Sequence, residues 1–457
     1  MFFLRSRLGR LQPLEAFRGG EPRVFAPFAR QLQPLVPVAD AAQHVRLMLE
    51  PGQRLLDVAA IVRAATRREL AELDSHACVA PEVVEDEHVD GHEAHAIIKS
   101  NRGAVNKAEV VIIGAGVMGV SIAAHLAGRG IRDVLVLDRG SELGAGSTAR
   151  ATGGFRAQFA TEINVRLSLL SRDELRARAE FGYQPHGYLF LARAEETMRV
   201  LREAQRVQHA CGLSEARMID AREARELNPA IGDPLIIGGA FCPSDGFIAP
   251  MAILRGYARE ARIEFGVEVH GLRTDGDRVL AVQTRRGEIE GDVFVNAAGA
   301  WAAPFGDVPV EPLERHVVPT VATDVLPESM PMTIWCEDGF HLRVRDGRVL
   351  LLSPERDVET PARERVPPLR NVAIDRAAAW SGFYEMSPDH HAIVGRSVPY
   401  ANLFLANGSS GHGVMHAPAI GRLVAELIAG VPTSIDITPL RPSRFAENAA
   451  ISGPTLL

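Results

Sequence analysis

A chain of 457 residues suggests two or more domains at about 150 residues each. Its apolar share of 46% is ordinary for a globular protein, and no apolar run reaches the ~18 residues of a membrane-spanning helix. The net charge of −7 excludes a broadly basic surface for nucleic acid.

Residues 1–107 differ from the rest. Met1–Ala39 is Arg- and Pro-rich with few acids, and Gln53–Leu73 has a helical pattern. The segment from Glu82 to His95 mixes histidines with acids. A metal site is one reading of it. A solvated, flexible polar segment is the preferred one, so no metal is expected.

From residue 108 the pattern becomes α/β. Val110–Ile113 reads as a buried strand, Met118–Arg129 as a helix stopped by Gly130, and Val134–Leu137 as the next strand. Gly114, Gly116 and Gly119 lie between the first strand and the helix. Gly114 allows the tight turn, Gly116 lets backbone approach a pyrophosphate, and Gly119 lets the helix pack close. The free N–H groups at the helix start, around Ala115, Val117 and Met118, suit phosphate charge. Asp138 follows the second strand at the ~20-residue offset of a ribose-binding acid, with Arg139 beside it. Its charge argues against a 2′-phosphate, and so against NADP.

Three later segments argue for a flavin rather than a nicotinamide. The first is the small-residue loop Gly144–Gly154, in which Ser147, Thr148 and Arg150 supply donors and Gly153 and Gly154 close the loop. Thr161–Phe181 then reads as a long helix, Tyr188–Ala192 as a strand, and Glu195–Cys211 and Asp220–Leu227 as helices. Pro250–Ala261 is another helix, and Glu268–Arg273, Val279–Thr284 and Val293–Asn296 form a β-meander. The meander ends in the second segment, where Ala298, Gly299 and Trp301 follow an apolar strand that can run under a cofactor. Phe340–Val344 and Val349–Leu352 are strands joined by an Asp346-Gly347 turn. The third segment is Gly408–Gly413, opening the helical run Val414–Ala429; a glycine-rich helix start fits a negatively polarised carbonyl. The four cysteines (Cys78, Cys211, Cys242, Cys336) are far apart and read as reduced thiols of a cytoplasmic protein.

Together GAGSTARATGGFRAQF (144–159), NAAGAWA (296–302), WSGFYEMSPD (380–389) and NGSSGHGVMHAPAIG (407–421) resemble the FAD-dependent D-amino-acid oxidase superfamily. The resemblance is to its sarcosine-oxidase-like branch, which includes sarcosine oxidase β subunits and dimethylglycine and proline dehydrogenase-type flavoproteins. It implies an α/β fold: a discontinuous Rossmann-like FAD-binding domain with a mixed-sheet α+β substrate domain. The FAD-binding segments are expected at 108–182, 245–303 and 379–445, the substrate-domain segments at 183–244 and 304–378, and a tail at 446–457. In the resembled family the nucleotide-binding strand lies close to the N-terminus. Residues 1–107 are therefore read as a largely disordered extension or a start-site artefact, with a targeting extension as the alternative.

The resemblance also implies a reaction: oxidation of an amine C–N bond with hydride passing to flavin N5. Arg156 matches a carboxylate-binding arginine, a role its planar fork suits. His412 matches a histidine beside the flavin, and Tyr384 and His341 are further pocket candidates. Val269, Gly382, Gly408, Gly411, Gly413 and Val414 join the glycine-loop residues as cofactor contacts. Some relatives attach FAD to a cysteine, where this chain has Gly382, or to a histidine, where it has Ser147, Thr148 and Ala149. Non-covalent FAD is expected. The lysine of monomeric sarcosine oxidases is matched by Met415, and no lysine follows Lys107. That favours a dehydrogenase, with a partner protein or subunit as possible electron acceptor, over an oxidase. The substrate is expected to be a small secondary or N-methylated amino acid. The alternative is an assembly or binding factor that retains FAD with little turnover.

Overall fold

The computed structural model describes residues 107–453. The readings made of residues 1–106, Cys78 among them, lie outside these. Strand β1 (Lys107–Ile113), helix α1 (Val117–Ala127) and strand β2 (Val134–Asp138) form the first unit. Both strands are buried on both faces, which is why they read as unbroken apolar runs. β1 pairs in parallel with β2 on one side and with Gly287–Asn296 on the other. Ile113 is level with both Leu137 and Asn296, so the three carboxyl ends finish at one height. Ligands of open α/β sheets bind outside such an edge.

The sheet continues through Leu403–Asn407 and Ile393–Arg396 on one side and Arg262–Phe265 on the other. Arg278–Thr284 and Val269–Asp275 extend from Gly287–Asn296 as an antiparallel meander. The final helix, Gly413–Ile428, lies along α1 at very short range. A Cβ on its Gly421 would come within 2.8 Å of Ser121 Cβ, and Ser121 Oγ donates to Ala417 O at 2.8 Å.

The second sheet runs, in order, Trp380–Met386, Glu311–Pro319, Arg348–Leu352, His341–Arg345, Met332–Trp335, Tyr188–Ala192, Gly238–Cys242 and Arg217–Asp220. Its core holds Trp335, fully buried, whose indole N–H donates to Asp233 at 2.9 Å. Asp220 caps the helix Ala221–Leu227 by accepting from Glu223 N at 2.8 Å, which fits the start expected there.

Three local readings need correction. The helix expected over Pro250–Ala261 ends at Ala258, and Arg262–Phe265 is an edge strand beside β2; four residues are too few to show a period. The long helix from Thr161 is Glu162–Ala177, followed by a tight 3₁₀ turn that Gly182 ends with a φ of +64°. Trp380–Met386, assigned above to an FAD-binding segment, is the edge strand of the second sheet.

Asp389, at the end of the WSGFYEMSPD motif, has a structural task. It receives both arms of Arg444 (2.8 and 2.9 Å) and Ile451 N (3.0 Å), and both side chains are buried. Burial opposes the charge, but these donors outweigh it and hold Asp389 at about 2. The depressed folded pKa means the pair stabilises above the usual carboxylate range and is lost as pH falls from about 4 through 2. Asp389→Asn should strand the guanidinium and lower unfolding free energy by about 3–5 kcal/mol, read by denaturant titration at pH 7. The difference from the parent should shrink toward pH 2.

Candidate active site

The level carboxyl ends of β1, β2 and Gly287–Asn296 open into one cavity of about 1230 Å³. That exceeds the ~300–1,000 Å³ of ordinary small-ligand pockets and leaves room for a dinucleotide plus a substrate. Its first wall is the glycine turn after β1. Gly114 has a φ of +105°, and its N–H donates to Leu137 O at 2.7 Å. A Cβ on Gly116 would meet only Thr148 Oγ1, at 3.8 Å, and Gly116 lines the cavity, so its backbone is accessible from it. Asp138 accepts from Ala115 N (2.7 Å) through one oxygen and from Gly140 N (2.6 Å) through the other. Two backbone amides thus orient the carboxylate at the cavity wall. Thr148 Oγ1 accepts from Val117 N at 3.2 Å, tying the second glycine loop to the start of α1.

Of the cofactor contacts expected from sequence, all but two line this cavity. Gly119 does not; it lies beneath the turn, where a Cβ would strike the Gly114 carbonyl. Gly408 does not either. It has a φ of +69°, and a Cβ there would press on Ser387 and Ile393 at 3.0 Å, so it is a turn residue. Arg150 was expected to face phosphate or flavin. It lines the cavity, and one of its nitrogens donates to Ala145 O and Gly146 O, both at 2.9 Å, bracing its own loop. Arg139 stacks over the Trp301 ring at 3.9 Å, and Trp301 is 40% exposed.

The far wall belongs to the final helix. Gly411, His412, Gly413 and Val414 line the cavity, and no side chain caps the helix start. Its unsatisfied N–H groups leave a positive dipole end for a polarised ligand oxygen. With the cradle at Gly116 and the held carboxylate of Asp138, this donor set fits FAD.

Above it lies a cluster of ionisable side chains from the second sheet and from loops beside it. Arg156 is 3% exposed, packs 4.3 Å over Phe159, and donates from NH2 to His412 Nε2 at 3.1 Å. A guanidinium has no acceptor, so in this contact His412 Nε2 is the accepting atom. Burial lowers the Arg156 pKa, with Tyr188 and Asp245 opposing. Asp245 accepts from Ala157 N at 2.7 Å and from Gln158 Nε2 at 3.1 Å, and burial pushes it up to about 6. His341 donates from Nδ1 to Gly339 O at 2.8 Å, which leaves Nε2 as an acceptor. Burial, reinforced by the charges of Arg156 and Arg315, drives it down to about 4, so it is neutral at pH 7. Tyr384 packs its ring against Gly411, and burial raises its phenol.

Sequence reading missed Arg315 and Glu385, which also line the cavity. Arg315 could have been found as the charge at the centre of the alternation Leu313–Arg315–Val317. Glu385 had no such signal. Its Oε1 accepts from Ser409 N at 3.2 Å, its buried Oε2 has no partner among the described residues, and burial pushes the carboxyl up to about 7.

A parallel strand–glycine turn–helix unit facing a mixed sheet across such a cavity defines a dinucleotide-dependent oxidoreductase. The chain belongs to the FAD dependent oxidoreductase family, whose profile it matches over residues 109–427. Among its relatives, FAD-dependent oxidoreductase domain-containing protein 1 of Xenopus laevis is 27% identical over 401 residues, 70% of this chain and 79% of the relative. Mitochondrial dimethylglycine dehydrogenase of Rattus norvegicus is 29% identical over 395 residues, 75% of this chain and 45% of that enzyme, so the chain spans less than half of its length. The structure of L-proline dehydrogenase from P. horikoshii superimposes with a TM-score of 0.68 at 29% identity, covering 75% of this chain and 99% of that one. Glycine oxidase from Geobacillus kaustophilus gives 0.65 at 25% identity over 74% and 99%. No helix among the described residues is long and apolar enough to cross a membrane.

Two outcomes are expected. Gly116→Val should abolish FAD retention, measured as flavin absorbance per folded protein, because a branched side chain there enters the space of the phosphates. Glu385 is protonated more readily folded than unfolded, so its contribution falls as pH rises from about 4.5 through 7. Glu385→Gln should flatten that fall by ~3 kcal/mol in denaturant titrations across this range.

Proposed function

We propose that this chain holds FAD non-covalently and oxidises the C–N bond of a secondary or N-methylated amino acid. The observation that carries the reading is buried Arg156, set in the cavity wall beside the uncapped start of the final helix and steadied by His412. A buried guanidinium is a specific partner for a substrate carboxylate. Bound FAD would supply the hydride acceptor. His341 offers a neutral nitrogen lone pair, suited to an amine N–H, and its low pKa keeps the ring unprotonated while substrate binds. Tyr384 and Tyr188 close the same wall and exclude water from it.

Non-covalent attachment is supported by chemistry at two positions. Gly382 has no side chain, and Ser147, Thr148 and Ala149 include no histidine or cysteine. The electron acceptor follows from charge. No lysine follows Lys107, and the His412 ring nitrogen Nε2 is engaged by Arg156. Arginine spreads its charge over a plane and stabilises superoxide less locally than an ammonium does. A dehydrogenase passing electrons to a partner protein is therefore favoured over an oxidase.

The purified protein should be yellow, and acid precipitation should release all its flavin. Flavin left on the pellet would contradict this attachment. N-methylated amino acids should bleach the flavin anaerobically, and the reduced protein should reoxidise much faster with an artificial dye than with air-saturated buffer. Reoxidation by O₂ as fast as steady-state turnover would make it an oxidase. Arg156→Ala should cost about 2–5 kcal/mol in kcat/KM for an amino acid and far less for an amine lacking the carboxylate. Equal losses would move Arg156 to flavin positioning.

A further inference from the structure

The substrate end of the cavity holds a second guanidinium that one amino-acid carboxylate does not explain. Arg315 lies on Glu311–Pro319, directly opposite Gly382 of Trp380–Met386, and Tyr384 follows two residues along the same face. Gly382 has no side chain to reach across the strand pair; the side chain packed over it is that of Arg150, another cation, whose Cβ lies 3.0 Å from where a Gly382 Cβ would stand. Among the described residues the Arg315 side chain makes no hydrogen bond and no ion pair, although it is partly buried in the cavity wall. Its charge reaches the same groups as that of Arg156: both act on Tyr384 and both act on His341. Asp245 lies on the Arg156 side, where it acts on Arg156 and Tyr188. Glu385 turns one oxygen to Ser409 N. Neighbouring Glu314 is engaged by Ser381 Oγ at 2.6 Å and lies near His316 at 3.9 Å, on the opposite side of its strand from Arg315. No acid among the described residues thus pairs with Arg315.

We propose that Arg315 is a second anion anchor, so that the pocket selects a secondary amino acid carrying two carboxylates, one on Arg156 and the other on Arg315. This rests on the amine-oxidation reading above and narrows it. The reason is electrostatic. Once a cofactor and substrate cover the cavity, a cation without a counter-charge is costly, and a second carboxylate removes that cost. A monocarboxylate leaves it in place, which gives selection against the smaller substrate as well as for the larger. His341 Nε2, near both guanidiniums, is an acceptor for the amine between the two acid groups.

The test titrates the FAD-loaded protein with unreactive acids and follows the flavin absorption band. Succinate and glutarate are compared with butyrate and valerate. The dicarboxylates should bind at least about 30-fold more tightly. Arg315→Ala should collapse that ratio to within about threefold by weakening dicarboxylates far more than monocarboxylates. Arg315→Gln, which keeps the length and hydrogen bonding without the charge, should do the same if the alanine variant does not fold. Arg156→Ala should weaken both classes. Equal binding of both classes to the parent protein, or a preference that survives loss of Arg315, overturns the proposal. A substrate panel separates it from the broader reading. N-methylaspartate and N-methylglutamate should reduce the flavin with higher kcat/KM than sarcosine and N-methylalanine. Sarcosine reducing it best overturns the inference and leaves amine oxidation intact. A carboxylate preference with no reduction by any amine defeats the amine reading and leaves the two-anchor site in place.

Discussion

Everything in this protein depends on a backbone-to-backbone contact that no side chain can enter. A Cβ on Gly119 would overlap the Gly114 carbonyl and come within 3.3 Å of Ile112. A Cβ on Gly114 would lie 2.9 Å from the carbonyl carbon of Ala297. The helix α1 therefore rests directly on the end of β1, and the end of Gly287–Asn296 rests on the same turn. A methyl group at either place would force these apart and pull Gly114 N from Leu137 O. Three strands and one helix start are held at one height by two absent side chains. Only then do the N–H groups at the head of α1 and the carboxylate of Asp138 face one cavity.

The second sheet is joined to the glycine loop at 144–154 by arginines and a tryptophan bonding to backbone carbonyls. Arg343 donates to Thr152 O at 2.7 Å, Arg345 to Ala151 O at 3.3 Å, and the Trp380 indole to Arg150 O at 2.9 Å. The loop that lines the cofactor side is thus fixed by residues nearly two hundred or more positions away. Arg343 packs 3.6 Å over Phe247, and burial lowers its pKa to about 10. A planar, weakly hydrated guanidinium tolerates this burial and can bond a carbonyl while stacking on a ring. That gives physical sense to a chain with arginine almost everywhere and lysine nowhere past residue 107.

At the substrate end the same burial acts on charge. It holds His341 neutral, moves Asp245 and Glu385 toward neutrality, and leaves the arginines as the groups still charged at pH 7. The pocket is thereby biased toward anions without an exposed basic surface, which agrees with a net charge of −7. The tight turn at Gly411 completes the arrangement, because its missing side chain admits the Tyr384 ring beside the final helix.

The sequence by itself determined the dinucleotide unit. Strand, glycine turn, helix and acid all fall within residues 110–138, and each signal comes from local sterics or short-range periodicity. The loop at 144–154, the strand before Ala297 and the glycine-rich head of the final helix were legible for the same reason. The short edge strand Arg262–Phe265 was not, because four residues have no period of their own. Only the tertiary structure decided which side chains share the cavity. Arg156 and His412 meet across 256 positions, and Arg315 reaches Tyr384 through an antiparallel pairing that only the fold supplies. It also decided that Gly408 serves a turn and that Arg150 braces its own loop. A residue's chemistry depends on its burial and its neighbours. In a sheet built from distant segments, those neighbours are set by long-range pairing that spacing along the chain does not encode.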